Sequence, residues 1–148
     1  MAKRSMRAMD VRVSASSANW AAMTSIDADV YGVETGGGER NVGEAFSADQ
    51  DYPHICSGKR AMEEVTFNCL FDDGGSGAWH EVRGIHTTAG GAIYVRWAPE
   101  GSTSGAYGFY TGPAICTECA PPPGNVEDGE CIGFSFSVAC QEVVSETL

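Results

Sequence analysis

Hydrophobic and polar residues alternate most cleanly near the end of the chain. Ile132, Phe134, Phe136, Val138 and Cys140 fall on one side of an extended backbone; Gly133, Ser135, Ser137, Ala139 and Gln141 fall on the other. Successive strand side chains point to opposite faces, so this pattern predicts a strand over 132–144 with one dry and one wet face. Residues 62–70 repeat it, with Val65, Phe67 and Cys69 opposed to Glu64, Thr66 and Asn68. Shorter runs predict strands at 9–13, 92–97 and 107–111, and another at 25–33, where Ile26, Ala28 and Val30 oppose Asp27 and Asp29. A single stretch has helical spacing. Trp79, Val82 and His86 share a stripe over about 77–86, after Ser76, a residue type suited to capping.

Two intervals lack periodicity. Residues 34–53 hold Gly36, Gly37, Gly38 and Gly43 among Glu34, Glu39, Arg40, Glu44, Asp49 and Asp51. They read as a long acidic glycine-rich loop, and loops of that length in a compact domain are usually either functional, here in contact with a partner, or passively mobile. Residues 112–131 carry Gly112-Pro113 and Pro121-Pro122-Pro123-Gly124, which oppose regular pairing. With 19 glycines in 148 residues, the whole reads as one mostly β domain over 1–148. No run of 18 apolar residues exists, so no membrane span or membrane partner is expected. The basic start is not followed by the apolar stretch of a secretion signal.

Charge sharpens the picture. Residues 1–12 carry +3, from Lys3, Arg4, Arg7 and Arg12 against Asp10, and form a flexible basic arm at 1–8; the remainder carries −14. A body this acidic is a poor candidate for tight nucleic-acid binding, which neutralises phosphates with Lys and Arg.

Motifs for chemistry fail on spacing. His80-Glu81 would need a histidine at Gly84 to match a zinc protease, and Gly101-Ser102-Thr103-Ser104-Gly105 has Thr103 where a nucleophile elbow has serine. Ser57-Gly58-Lys59 lacks the rest of a phosphate loop. Cys116-Thr117-Glu118-Cys119 has the spacing of half a zinc site, with Cys131, Cys140 or His54 as further ligands. Zinc, a disulfide and free thiols all remain open for the six cysteines, with reduced thiols the default in the absence of a secretion signal. The chain is expected to be neither an enzyme nor a cofactor carrier.

The order of elements resembles the major tail protein, or tail tube protein, of long-tailed bacteriophages. The resemblance runs over about 9–144. It rests on Gly38-Glu39-Arg40, Gly58-Lys59-Arg60, His86-Thr87-Thr88-Ala89-Gly90-Gly91, Tyr94-Val95-Arg96-Trp97-Ala98-Pro99-Glu100-Gly101 and Phe134-Ser135-Phe136-Ser137-Val138. It implies two packed antiparallel β-sheets, a sandwich or barrel, with one short flanking helix. It also implies a structural virion protein whose hexameric rings stack into a tube that conducts DNA. Its partners would be copies of itself, tail initiation, tape-measure and terminator proteins, and DNA passing through the lumen. It would reside in the virion tail, and in the host cytoplasm during assembly. On this reading the wet-face residues Asp27, Asp29, Glu64, Thr66, Asn68, Ser135, Ser137 and Gln141 line the lumen. Lys3, Arg4, Arg7, Glu39, Arg40 and Glu44 make contacts between rings. Two alternatives stand beside it: a tail-terminator or head–tail joining subunit, and a small sandwich that binds carbohydrate through Trp20, Trp79 or Trp97.

Overall fold

The alternating segments at 62–70 and 132–144 lie side by side in the structure. A computed structural model describes residues 9–16, 19–49, 51–72, 75, 77–88, 90–101, 103–122 and 132–148. The arm at 1–8 and Cys131 lie outside the described residues. The strands are β1 (Asp10–Ser14), β2 (Thr24–Ser25), β3 (Val30–Gly37), β4 (Arg40–Ala45), β5 (His54–Arg60), β6 (Glu63–Leu70), β7 (Ala92–Ala98), β8 (Tyr107–Tyr110), β9 (Ala114–Cys119), β10 (Gly133–Cys140) and β11 (Val144–Thr147). A 3-10 turn spans Trp20–Ala22, and the one helix among the described residues, α1, spans Ala78–Thr87. The protein is therefore mostly β with a short helix, and all described strand pairs are antiparallel.

The main sheet runs β11-β8-β7-β9-β10-β6-β3, with β1 on the free edge of β7 and β2 on β1. β7 is its corner. Arg96 and Trp97 pair with β8, whereas Ala92 and Ile93 pair with β9. Gly112-Pro113 carries the chain across that change, and Thr111 patches the gap. Its N–H donates to Val95 O at 3.0 Å, and its hydroxyl accepts from Val95 N at 3.3 Å. Beyond the corner the sheet folds back on itself. Phe67 of β6 meets Trp97 of β7 edge-on at 5.6 Å, although these strands do not pair. Phe67 also stacks on Phe136 at 4.9 Å, and Trp97 on Phe109 at 5.6 Å. The dry faces of β6 and β10 thus form the core, as their alternation predicts, with Val65, Phe67, Phe136 and Val138 all fully buried. Burying each such side chain stabilises the fold by about 1.5–3 kcal/mol.

Four expectations are corrected. Most of residues 34–45 belongs to strands, not a loop: β3 continues to Gly37, and β4 follows from Arg40. The segment from 25 to 33 is not one strand, because residues 27–29 form a turn between β2 and β3. The strand at 132–144 ends at Cys140, leaving Gln141 in a bend before β11. The interval 112–131 contains β9.

Candidate assembly interface

β4 and β5 pair with each other as a separate two-stranded sheet, and every residue in both is exposed. They extend the β3–β6 pair, with a kink between. Gly37 (φ 78°) and Gly38 (φ 72°) make that kink in the left-handed region that favours glycine. A Cβ on Gly37 would stand 2.4 Å from Met62 O, so the backbones close there only around glycine. Directly opposed residues share a face, which puts Val42, Glu44, Ile55 and Ser57 together. Val42 is 66% and Ile55 73% exposed, and Phe46 and Tyr52 at the tip are 67% and 81% exposed. Exposed side chains of this size, grouped on one projecting element, make it a candidate contact surface. Of the expected inter-ring residues, Glu39, Arg40 and Glu44 are all exposed on this hairpin or its root. Arg40 donates to Gly58 O at 3.1 Å across it. Lys3, Arg4 and Arg7 lie outside the described residues.

A second surface is polar. The outer face of β6 and β10 brings Ser135 beside Asn68 and Ser137 beside Thr66, with Glu64 opposite Ala139. Ser135 donates to Asn68 Oδ1 at 2.9 Å, and the Thr66 and Ser137 hydroxyls lie 3.1 Å apart. Asn68 reaches Glu34 of β3 at 3.5 Å. Glu118 of β9 joins opposite Ser137. Glu34 and Glu118 were not anticipated, since neither strand shows alternation. The face is made mainly of hydroxyls, an amide and carboxylates, with exposed Ile115 opposite Ala139 at one end.

Three expected lining residues stand elsewhere. Gln141 is in the bend after β10. Asp27 sits in the 27–29 turn and accepts from the Ser25 hydroxyl. Asp29 turns toward the helix, where its Oδ2 accepts the N–H of Ala78 at 2.9 Å. The N-cap of α1 is Gly77, which has no side chain to satisfy the first helical N–H groups, so Asp29 does it from another element. Asp29→Ala should lower stability by about 1 kcal/mol in urea denaturation, and Asp29→Asn by less. Ser137 lies on the polar face but is only 8% exposed, screened beneath its neighbours.

Cys116 and Cys119 are both buried, at 3% and 1% exposure. Residues three apart in a regular strand face opposite ways, but a register shift in the β9–β10 ladder at Ser137/Val138 turns both inward. That bulge accounts for the Cys-x-x-Cys spacing. No group of three potential metal ligands comes together among the described residues. His54 instead contacts Ser47 at 3.1 Å on the hairpin. The helix seals the outer edge of this strand: Arg83 donates to Cys119 O and His86 Nδ1 to Cys116 O.

Burial sets the thiol chemistry. It pushes Cys69 up to about 12, aided by Asp29 and Cys119. It pushes Cys116 to about 11, aided by Cys119, and Cys119 to about 11 against the opposing pull of Arg83. Thiolate is the reactive form, so these cysteines should resist alkylation in the native protein. At pH 8, mass-mapped labelling should reach exposed Cys56 well before Cys69, Cys116, Cys119 or Cys140. The unfolded chain loses these protons near pH 9.0 and the folded one only near 11 to 12. Their contribution is therefore intact below pH 9 and falls as pH rises through that window, so the urea midpoint should drop between pH 8 and pH 10.

The tryptophans offer no sugar platform. Trp97 is 4% exposed. Trp20 lies under Arg12 and Arg96, 4.9 and 5.2 Å from its ring centre. Trp79 packs on Phe71 at 5.6 Å. Trp20 and Trp79 are half-buried and Trp97 is buried.

No family model matches the sequence, and no curated protein matches it. Solved structures do. The fold is shared with components of phage-tail-like assemblies. A chain in the extended-state sheath/tube terminator structure of an extracellular contractile injection system (PVC) is similar, with a TM-score of 0.71 at 9% identity; the alignment covers 99% of each chain. A chain in the tube-terminating cap of the anti-feeding prophage gives 0.62 at 12% identity, covering 93% of this chain and 88% of that one. A chain in the tail of an empty gene transfer agent particle, refined helically with C6 symmetry, gives 0.64 at 9% identity over 99% of each chain. At such identities the likeness is one of fold.

Proposed function

We propose that this chain is a ring-forming structural subunit of a phage-type tail, standing where the tube ends as a terminator or cap. The observation that carries this is the end-to-end match to a chain of a sheath/tube terminator structure. The projecting hairpin supports it, because a β-ribbon that exposes Val42, Phe46, Tyr52 and Ile55 is a surface awaiting a neighbour. A ring closes a heterologous contact of this kind, in which one patch meets a different patch on the next copy. A second reading, the repeating tube subunit, draws on the equally complete match to a chain of a helically refined tail. Negative-stain imaging of the purified, concentrated chain separates them. Closed rings that do not stack support the terminal position, and open-ended tubes support the repeating one. A monomer that is not incorporated even when tail components are co-expressed would overturn both.

In either position we assign the polar face to the channel. Glu64, Thr66, Asn68, Ser135 and Ser137 stay from the sequence expectation; Glu34 and Glu118 join them, while Asp27, Asp29 and Gln141 drop out. Carboxylates repel phosphates, and short side chains leave DNA few footholds. The field is screened within about 10 Å at 0.1 M salt, so it keeps DNA moving without blocking it. The double variant Glu34→Lys/Glu64→Lys should assemble normally yet slow genome passage, most at low salt. An unchanged ejection rate would move this face out of the lumen.

A further inference from the structure

At the root of the hairpin, one carboxylate joins two distant parts of the chain. Glu63 opens β6. Its Oε2 accepts the N–H of Val143, which lies in the link between β10 and β11. Its Oε1 accepts from Arg60 Nη2, at the end of β5, at 3.1 Å. Arg60 also points Nε at Gly38 O, 3.4 Å away, and Nη1 at Glu142, 3.8 Å away. The Cys140 thiol donates to the Glu63 carbonyl at 3.6 Å. The Glu63 side chain is 19% exposed, while Arg60 is 41% exposed. Beside it a cleft of about 630 Å³ opens between the β3–β6 and β8–β11 ends of the folded sheet, with Glu63 and Val143 both on its wall.

The other bonds at this root have a different character. Gly38 N to Met62 O at 2.9 Å and Ala61 N to Glu39 O at 2.7 Å join the two strands of the ribbon to each other. They carry the ladder from the β3–β6 pair into the ribbon, and neither reaches the segment leading into β11. Gly37 and Gly38, in their left-handed conformation, form the kink between ribbon and body. The Glu63 carboxylate and Arg60 join the ribbon to the segment leading into β11. That strand ends the sheet and pairs only with β8.

We propose that Glu63 is a positioning residue: a latch that couples the angle of the β4–β5 hairpin to the seating of the C-terminal strand β11. With β11 in place, Val143 presents its N–H, Glu63 is held, and Arg60 is held through Glu63. Displacing β11 removes that anchor and frees the hairpin. A neighbour that engages either element therefore alters how the other is presented. This consequence rests on the reading of the hairpin as an assembly surface, but the coupling lies within one chain and is measured on the monomer.

The test uses the full chain with Cys131→Ser, so that exposed Cys56 on β5 takes a spin label. Glu63→Ala should sharpen the label's spectrum. It should also speed amide exchange across Arg40–Ala45 and His54–Arg60 by roughly tenfold, the factor expected from losing one charge-assisted hydrogen bond. Exchange in the β6–β10 ladder should stay slow. Glu63→Gln keeps an acceptor for Val143 and loses the charge facing Arg60, so it should restore part of the order. Val143→Pro removes the donated N–H and should free the hairpin likewise, and the double variant should add nothing to either alone. Should Glu63→Ala not fold, the Gln and Pro variants carry the test. A hairpin whose label and exchange are unmoved in folded variants overturns the latch, as do additive effects. Ring formation with an unmoved hairpin would reject the latch and keep the assembly reading. A freed hairpin in a chain that never assembles would do the reverse.

Discussion

Replacing Glu39–Ala61 with Asn-Gly should give a folded monomer that builds no rings. The excision is feasible because Gly38 N already donates to Met62 O at 2.9 Å, the spacing that a two-residue hairpin turn must close. It should barely change stability, since β4 and β5 pair only with each other and bury nothing in the core. Its effect falls on association. Val42, Phe46 and Ile55 are each about two-thirds exposed or more in the monomer. Burying side chains of that size against a neighbour is worth about 1.5–3 kcal/mol each. Even after costs of ordering, losing roughly 5 kcal/mol per contact weakens association by more than a thousandfold. Sedimentation and negative stain would read the loss, and a urea melt would confirm the fold. Rings of normal size from the shortened chain would show that the hairpin is not the contact.

The largest effect on stability is expected at Phe67. Its side chain is fully buried, stacked on Phe136 and edge-on to Trp97, and so it joins the two halves of the folded sheet. Phe67→Ala leaves a cavity between layers that cannot collapse without moving both, and should cost about 3–5 kcal/mol. Against a typical total of roughly 5–15 kcal/mol, that is enough to leave the variant marginal at 37 °C. Phe67→Leu retains most of the volume and should cost far less. Urea denaturation of both checks this; a loss below about 1 kcal/mol for Phe67→Ala would mean the two layers do not share this core.

Much of this was legible from alternation. β6 and β10 each have one face on the core and one on solvent, and such a strand writes that difference into every second residue. Their shared polar face could therefore be named in advance from Glu64, Thr66, Asn68, Ser135 and Ser137. The helix was legible for the same reason: Val82 faces the sheet, and the stripe repeats at helical spacing. The hairpin was not legible. Neither face of β4 or β5 is buried in the monomer, so no burial shaped a pattern, and its glycines read as loop. β9 was hidden by its bulge, which turns Cys116 and Cys119 to the same side. At Asp27 and Asp29 the failure ran the other way, because Ile26, Ala28 and Val30 alternate by chance across a turn.

The sequence by itself determined the β character, the principal strands, the helix and the acidic charge of the body. Those properties follow from local spacing and composition, which a chain carries before it folds. Only the tertiary structure decided where Asp29 points, why the Cys-x-x-Cys pair is buried, and that Glu63 meets Val143, 80 residues further along the chain. Contacts between residues so distant in sequence depend on sheet order and register. Those are set by how the dry faces pack together, and no local pattern records that.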